Sequence, residues 1–196
     1  YRRSSPQTTR HLGNAGLDPR SVANYIIVVR RHFGYDTTNL ELQKIAYFAH
    51  AKSLVQFGRK LIEGNFEAWE HGPVHPLIYR EFKEFVSEPI RRRAFSTNLV
   101  TGETRLVPPP SDPVDKSNIV ETILQLRSLS AWQLREKSHA MGGPWHSVWT
   151  SANVNLASQI IIPDNVIIER YNRHILPVSE SHQGADSYED HPPEFN

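Results

Sequence analysis

Thr38-Asn39-Leu40-Glu41-Leu42-Gln43-Lys44-Ile45-Ala46-Tyr47-Phe48-Ala49 is the stretch on which the fold turns. Thr38 followed by Glu41 has the spacing of a capping box, in which each side chain satisfies a backbone N–H at the start of a helix. The helix so started runs toward Phe57, with Gly58 behind it as a stop. Leu42, Ile45, Ala46, Phe48, Ala49 and Val55 cover more than one narrow stripe, so neighbours are expected on several sides. Gln43 and Lys44 fall on its polar side. The helix belongs at the centre of the domain.

Upstream, Val22, Ile26, Val29 and Phe33 recur at helical spacing from Ser21, and Gly34 ends that run. Downstream, Phe66-Glu67-Ala68-Trp69-Glu70 alternates as a short strand would, with Gly72-Pro73 ending it. Pro76 then suits the first turn of a helix whose Ile78, Phe82 and Phe85 share one face. Between Arg91 and Pro110, Leu99-Val100 and Leu106-Val107 read as two short strands joined through Gly102, with a mobile loop as the other reading. After Pro113, Ile119, Ile123 and Leu126 mark another helix. Ser130 and Gln133 form a second capping box, opening a helix from Ala131 to about His139. Gly142-Gly143-Pro144 breaks it, Trp145 to Trp149 form a further helical turn, and a last helix starts around Pro163 with Ile167, Tyr171 and Ile175. The fold class is mainly α, a compact helical domain with a small β-sheet or hairpin. Residues 1–20 read as an arm, 21–178 as the domain and 179–196 as a polar tail.

With 196 residues, one such domain buries a core without staples. No cysteine is present, so disulfides, thiolate metal sites and cysteine nucleophiles all fall away. No apolar run approaches the roughly 20 residues that cross a bilayer, and the first residues lack a secretory apolar region, so a cytoplasmic protein is expected. Because residue 1 is tyrosine, the sequence is expected to begin inside a longer precursor. A net charge of +1 supplies no overall field for nucleic acid.

Several side-chain groups invite chemistry. His71 and His75 are four residues apart, as two zinc ligands on a helix would be, but Gly72 and Pro73 lie between them and the glutamate of a zinc-protease motif is absent. Hydrogen bonds to turn backbone are the reading taken for both. Ser138, His139 and Asp164 supply the residue types of a hydrolase, without a nucleophile elbow or oxyanion loop. No phosphate-binding glycine loop occurs, so no cofactor is expected. Arg91-Arg92-Arg93 can meet phosphate or the carboxylates of a protein partner. Trp69, Trp132, Trp145 and Trp149 each carry one N–H that needs a partner when buried, and those beside Gly142-Gly143 would serve as interface anchors if exposed.

Three blocks carry a family resemblance: Leu42 to Ala49; Phe66 to Val74 continuing through Pro76, Tyr79, Phe82 and Lys83; and Ser138-His139 through Gly143-Pro144-Trp145 to Trp149. In order and spacing they resemble the Panacea domain of SocA-like antitoxins and phage-associated GepA-like proteins. The resemblance implies a helical fold with a small sheet, no enzymatic activity, no cofactor, and a role as the antitoxin of a bacterial or phage toxin–antitoxin pair that binds its toxin directly. One type instead delivers the toxin to a cytoplasmic protease as an adaptor. A metal-dependent or hydrolytic enzyme is the remaining alternative. Residues 88–115 match the family poorly, and toxin choice is expected to reside in such variable surface. The partner-binding residues expected are Gln43, Lys44, Trp69, His71, Tyr79, Arg91, Arg92, Arg93 and Trp145.

Overall fold

The computed structural model describes residues 15–152 and 160–171. The first capping box forms as its spacing predicts: the Thr38 hydroxyl accepts the Glu41 N–H, and Glu41 Oε2 accepts the Thr38 N–H at 2.9 Å. It starts α2 (Asn39–Lys52), in which only Leu40 and Glu41 escape full burial, so the helix is enclosed on every side. A wider π-helical turn, Ser53–Phe57, carries the chain on to Gly58 in the left-handed region.

α1 (Pro19–His32) begins two residues earlier than expected, because Asp18 caps it and Pro19 suits its first turn. Leu17 is tied to the body as well, exchanging backbone hydrogen bonds of 2.9 Å with Leu61 and Glu63. The first fourteen residues and the tail from Ser179, like Ile175, lie outside the described residues.

One expectation is corrected in the sheet. Gly72-Pro73 is not merely the stop after a single strand but builds a second one: β1 (Phe66–Trp69) pairs antiparallel with β2 (Gly72–Val74), Trp69 opposite Gly72 and Ala68 opposite Pro73. The turn is Glu70-His71. Proline is tolerated because β2 is the sheet edge, where its missing N–H breaks no ladder. β5 (Ile161–Ile162), too short to announce itself in sequence, lies against the other side of β1.

α3 (Pro76–Phe82) buries Ile78 and Phe82 and ends in a 3₁₀ turn, Lys83–Phe85. A separate hairpin pairs β3 (Phe95–Thr97) with β4 (Thr104–Leu106). Its strands sit nearer the root than the sequence reading placed them, and Leu99-Val100 form the turn instead. α4 (Pro113–Leu126) lies against α2, where the Asn118 amide donates to the Ala49 carbonyl at 2.9 Å. α5 (Ala131–Ser138) opens on the second capping box. α6 (Pro144–Ser151) follows Gly143, and α7 (Asp164–Arg170) is fastened through Asp164 to His50 at 3.2 Å and Lys60 at 3.0 Å. Tyr47, Phe66, Phe82, Leu42 and Ile45 fill the centre, each buried side chain of this size contributing about 1.5–3 kcal/mol. The architecture is mainly α with small β elements, as expected.

Candidate functional site

The three sequence blocks meet around the β1–β2 hairpin. Gln43 and Lys44 do not face solvent: they are 1% and 0% exposed. Gln43 Oε1 accepts the His75 backbone N–H at 2.8 Å, and Lys44 Nζ donates to the Pro73 carbonyl at 3.2 Å. Their polar character serves the outer side of β2, which no strand covers and whose backbone groups need partners once buried. Trp69 is also buried; its indole N–H donates to Glu67 at 2.8 Å and its ring meets Tyr79 edge-to-face at 4.7 Å. Trp145, 7% exposed, donates its N–H to the Trp69 carbonyl at 2.8 Å and stacks on Trp149. Tyr79 and His71 are partly buried beside them. Six of the expected residues are thus brought together, mainly inside the protein.

Two histidines of this region, His75 and His139, are held neutral. Burial pushes His75 down to about 4, although a hydrogen bond to the Glu63 carbonyl works the other way. Burial likewise lowers His139 to about 4, between the Arg135 and Glu70 carbonyls and against the Trp145 ring. An unfolded chain takes up these protons near the ordinary value of 6.5. Stability is therefore intact above pH 6.5 and is lost as pH falls toward 4, by about 3 kcal/mol per histidine. Melting temperatures across this window should fall steeply in the wild type, and His75→Asn should remove about half of the slope.

The arginine triplet lies elsewhere, at the root of the β3–β4 hairpin, and two of its members are already paired. Arg91 meets Asp36 at 2.8 Å. Arg92 binds Glu81 and Glu84, each at 2.7 Å, while lying over the Phe82 ring. Arg93 is exposed and, among the described residues, has no ion-pair partner.

Ser138, His139 and Asp164 do not form one set: Ser138 Oγ and His139 Nδ1 lie 3.5 Å apart, but the acid is engaged elsewhere. Asp164 belongs to His50 and Lys60, whereas the Ser138 hydroxyl donates to the Arg135 carbonyl at 2.7 Å. Among the described residues no three histidines or acids gather as a metal site would require.

A surface pocket of about 230 Å³ opens between the starts of α2 and α5. Leu40, Ala131 and Trp132 give it apolar walls; Val86 and Ser87 form the rim. Arg135 stacks its guanidinium over the Trp132 ring at 4.8 Å and pairs with Glu136, and its buried Nε has no hydrogen-bond partner among the described residues. Glu41, which also lines the pocket, is paired with the buried Arg30 at 2.9 Å. Val86 holds a left-handed φ of 48°, which costs a β-branched residue on the order of 1–3 kcal/mol. The spacing of Trp132 and Arg135, one helical turn apart, is the only sequence signal for this pocket.

The family described as Antitoxin SocA-like, Panacea domain, matches residues 42–146, which include the first two blocks and the third as far as His146. Antitoxin SocA of Caulobacter vibrioides is 37% identical over 177 residues, covering 90% of this chain and 94% of the relative. No solved structure matches significantly. No helix among the described residues is long and apolar enough to cross a membrane. By extent and identity of match, the chain belongs to the SocA-like antitoxins that carry the Panacea domain.

Proposed function

We propose that this chain silences a cognate toxin by binding it directly, and that the Trp132–Arg135 pocket receives one large side chain of that toxin. The observation carrying this reading is the pocket itself: an aromatic wall, a guanidinium stacked on it, and a volume of about 230 Å³, comparable to one large side chain. Aromatic and arginine residues in such a setting supply binding energy without chemistry. On this reading Arg91 and Arg93 meet the toxin at the pocket's flank. Gln43, Lys44, Trp69 and Trp145 act indirectly, by fixing the shape of the scaffold.

The test is co-expression with the product of the adjacent reading frame. Growth rescue and a co-purifying complex are expected for the wild type. Ser87→Trp, which plugs the pocket from an exposed position, should reduce rescue by about a hundredfold, the loss of roughly 3 kcal/mol that one anchor supplies. The circular dichroism spectrum and melting temperature should not change. No complex and no rescue with the wild type would sink the reading. Toxin disappearance that needs an intact protease would mark an adaptor instead.

A further inference from the structure

Two neighbouring aliphatic side chains, Leu99 and Val100, stand 97% and 94% exposed at the tip of the β3–β4 hairpin. Isolated apolar residues on a surface are ordinary, but an adjacent pair held almost wholly in water forfeits the burial that each could have gained. Their setting is ordered. Asn98 Oδ1 accepts the N–H groups of Val100 at 2.9 Å and Thr101 at 3.1 Å, and the Asn98 carbonyl accepts the Gly102 N–H at 2.8 Å. Gly102 supplies the left-handed turn residue at φ +71°.

The root is equally fixed. Asn24 of α1, 3% exposed, donates to the Ala94 and Val107 carbonyls at 3.0 Å and accepts the Ala94 N–H at 2.6 Å. Ser21 adds a bond of 2.7 Å to the Pro108 carbonyl. The tip is consequently presented with little conformational entropy left to lose on binding, which favours affinity.

We infer that this hairpin is a docking knob for the toxin, with Leu99 and Val100 entering an apolar socket whose rim carries carboxylates. The occupant follows from three observations. Arg93, beside the hairpin root, is an exposed cation with no acid of its own among the described residues, so a complementary partner brings one. Two aliphatic side chains from each of two copies would bury far less than the roughly 1,200 Å² of a stable specific interface, which argues against tip-to-tip pairing of this chain. The tip instead requires a larger contact, and Val86 and Ser87, which line the pocket assigned above, shortly precede the hairpin root in the chain. The inference rests on the antitoxin reading.

The experiment uses the full-length chain with the product of the adjacent reading frame, comparing wild type, Leu99→Asp/Val100→Asp, Leu99→Met/Val100→Ile, Arg93→Glu and Ser87→Trp. Expected is at least a hundredfold loss of affinity for the aspartate pair at unchanged melting temperature, near-wild-type binding for the conservative pair, and a salt-dependent loss of about tenfold for Arg93→Glu. Aspartate-pair binding within threefold of wild type, while Ser87→Trp fails, would overturn this inference and leave the antitoxin reading standing. If the wild type itself neither binds nor rescues, both fall together. A wild-type dimer that the aspartate pair dissolves would identify a second copy as the occupant. Sedimentation with anionic vesicles that depends on Leu99 and Val100 would identify a membrane. Either result overturns the toxin assignment.

Discussion

A Gly72→Ala variant is expected to lose about 4 kcal/mol of stability and to melt about 10 °C lower than the wild type. Gly72 holds φ +103°, where an L side chain is strained by on the order of 1–3 kcal/mol. A Cβ there would also stand 2.6 Å from Ser138 Oγ, with Lys44 Nζ and His139 Cε1 each at 3.1 Å. None of these atoms is free to retreat. The Ser138 hydroxyl is spent on the Arg135 carbonyl, Lys44 on Pro73, and His139 on the carbonyls of Arg135 and Glu70. Overpacking of this kind adds about 1–3 kcal/mol. Combining Gly72→Ala with Ser138→Ala removes the nearest clash and should recover about 1–2 kcal/mol, leaving the backbone strain. Chemical denaturation of the wild type, Gly72→Ala, Ser138→Ala and the double variant measures both terms. A single-variant loss below 1 kcal/mol would mean that the three blocks are not locked at this point.

The second large effect is expected at Trp145. Trp145→Ala removes a ring that is stacked on Trp149 at 5.2 Å and touches His139, and it strips the Trp69 carbonyl of its indole donor. Truncation of a buried tryptophan costs about 3–5 kcal/mol. Trp145→Phe keeps most of the packing and loses only the hydrogen bond, for about 1–2 kcal/mol. The phenylalanine variant should still neutralise toxin in co-expression, since the indole points inward. If it folds with near-wild-type stability yet fails to rescue growth, Trp145 contacts the partner after all.

Much of the fold was legible because its signals are local. Both capping boxes, the prolines opening α3, α4 and α6, and the apolar spacing of Ile119, Ile123 and Leu126 depend on neighbours within one or two turns. Two errors share a different cause. Gln43 and Lys44 look like surface residues by type, and nothing nearby in sequence shows that a proline-bearing edge strand will need their hydrogen bonds. Gly72-Pro73 reads as punctuation in sequence because proline rarely sits within a strand, and only the edge position excuses it. The pocket was harder still. It is made by three segments far apart in the chain, so its one sequence trace is the pairing of Trp132 with Arg135.

Because the amide of Asn24 grips the hairpin only by main-chain atoms of Ala94 and Val107, the anchorage is indifferent to which side chains follow between those two points. Side chains of the intervening loop can therefore be exchanged without loosening its attachment to the globule beneath.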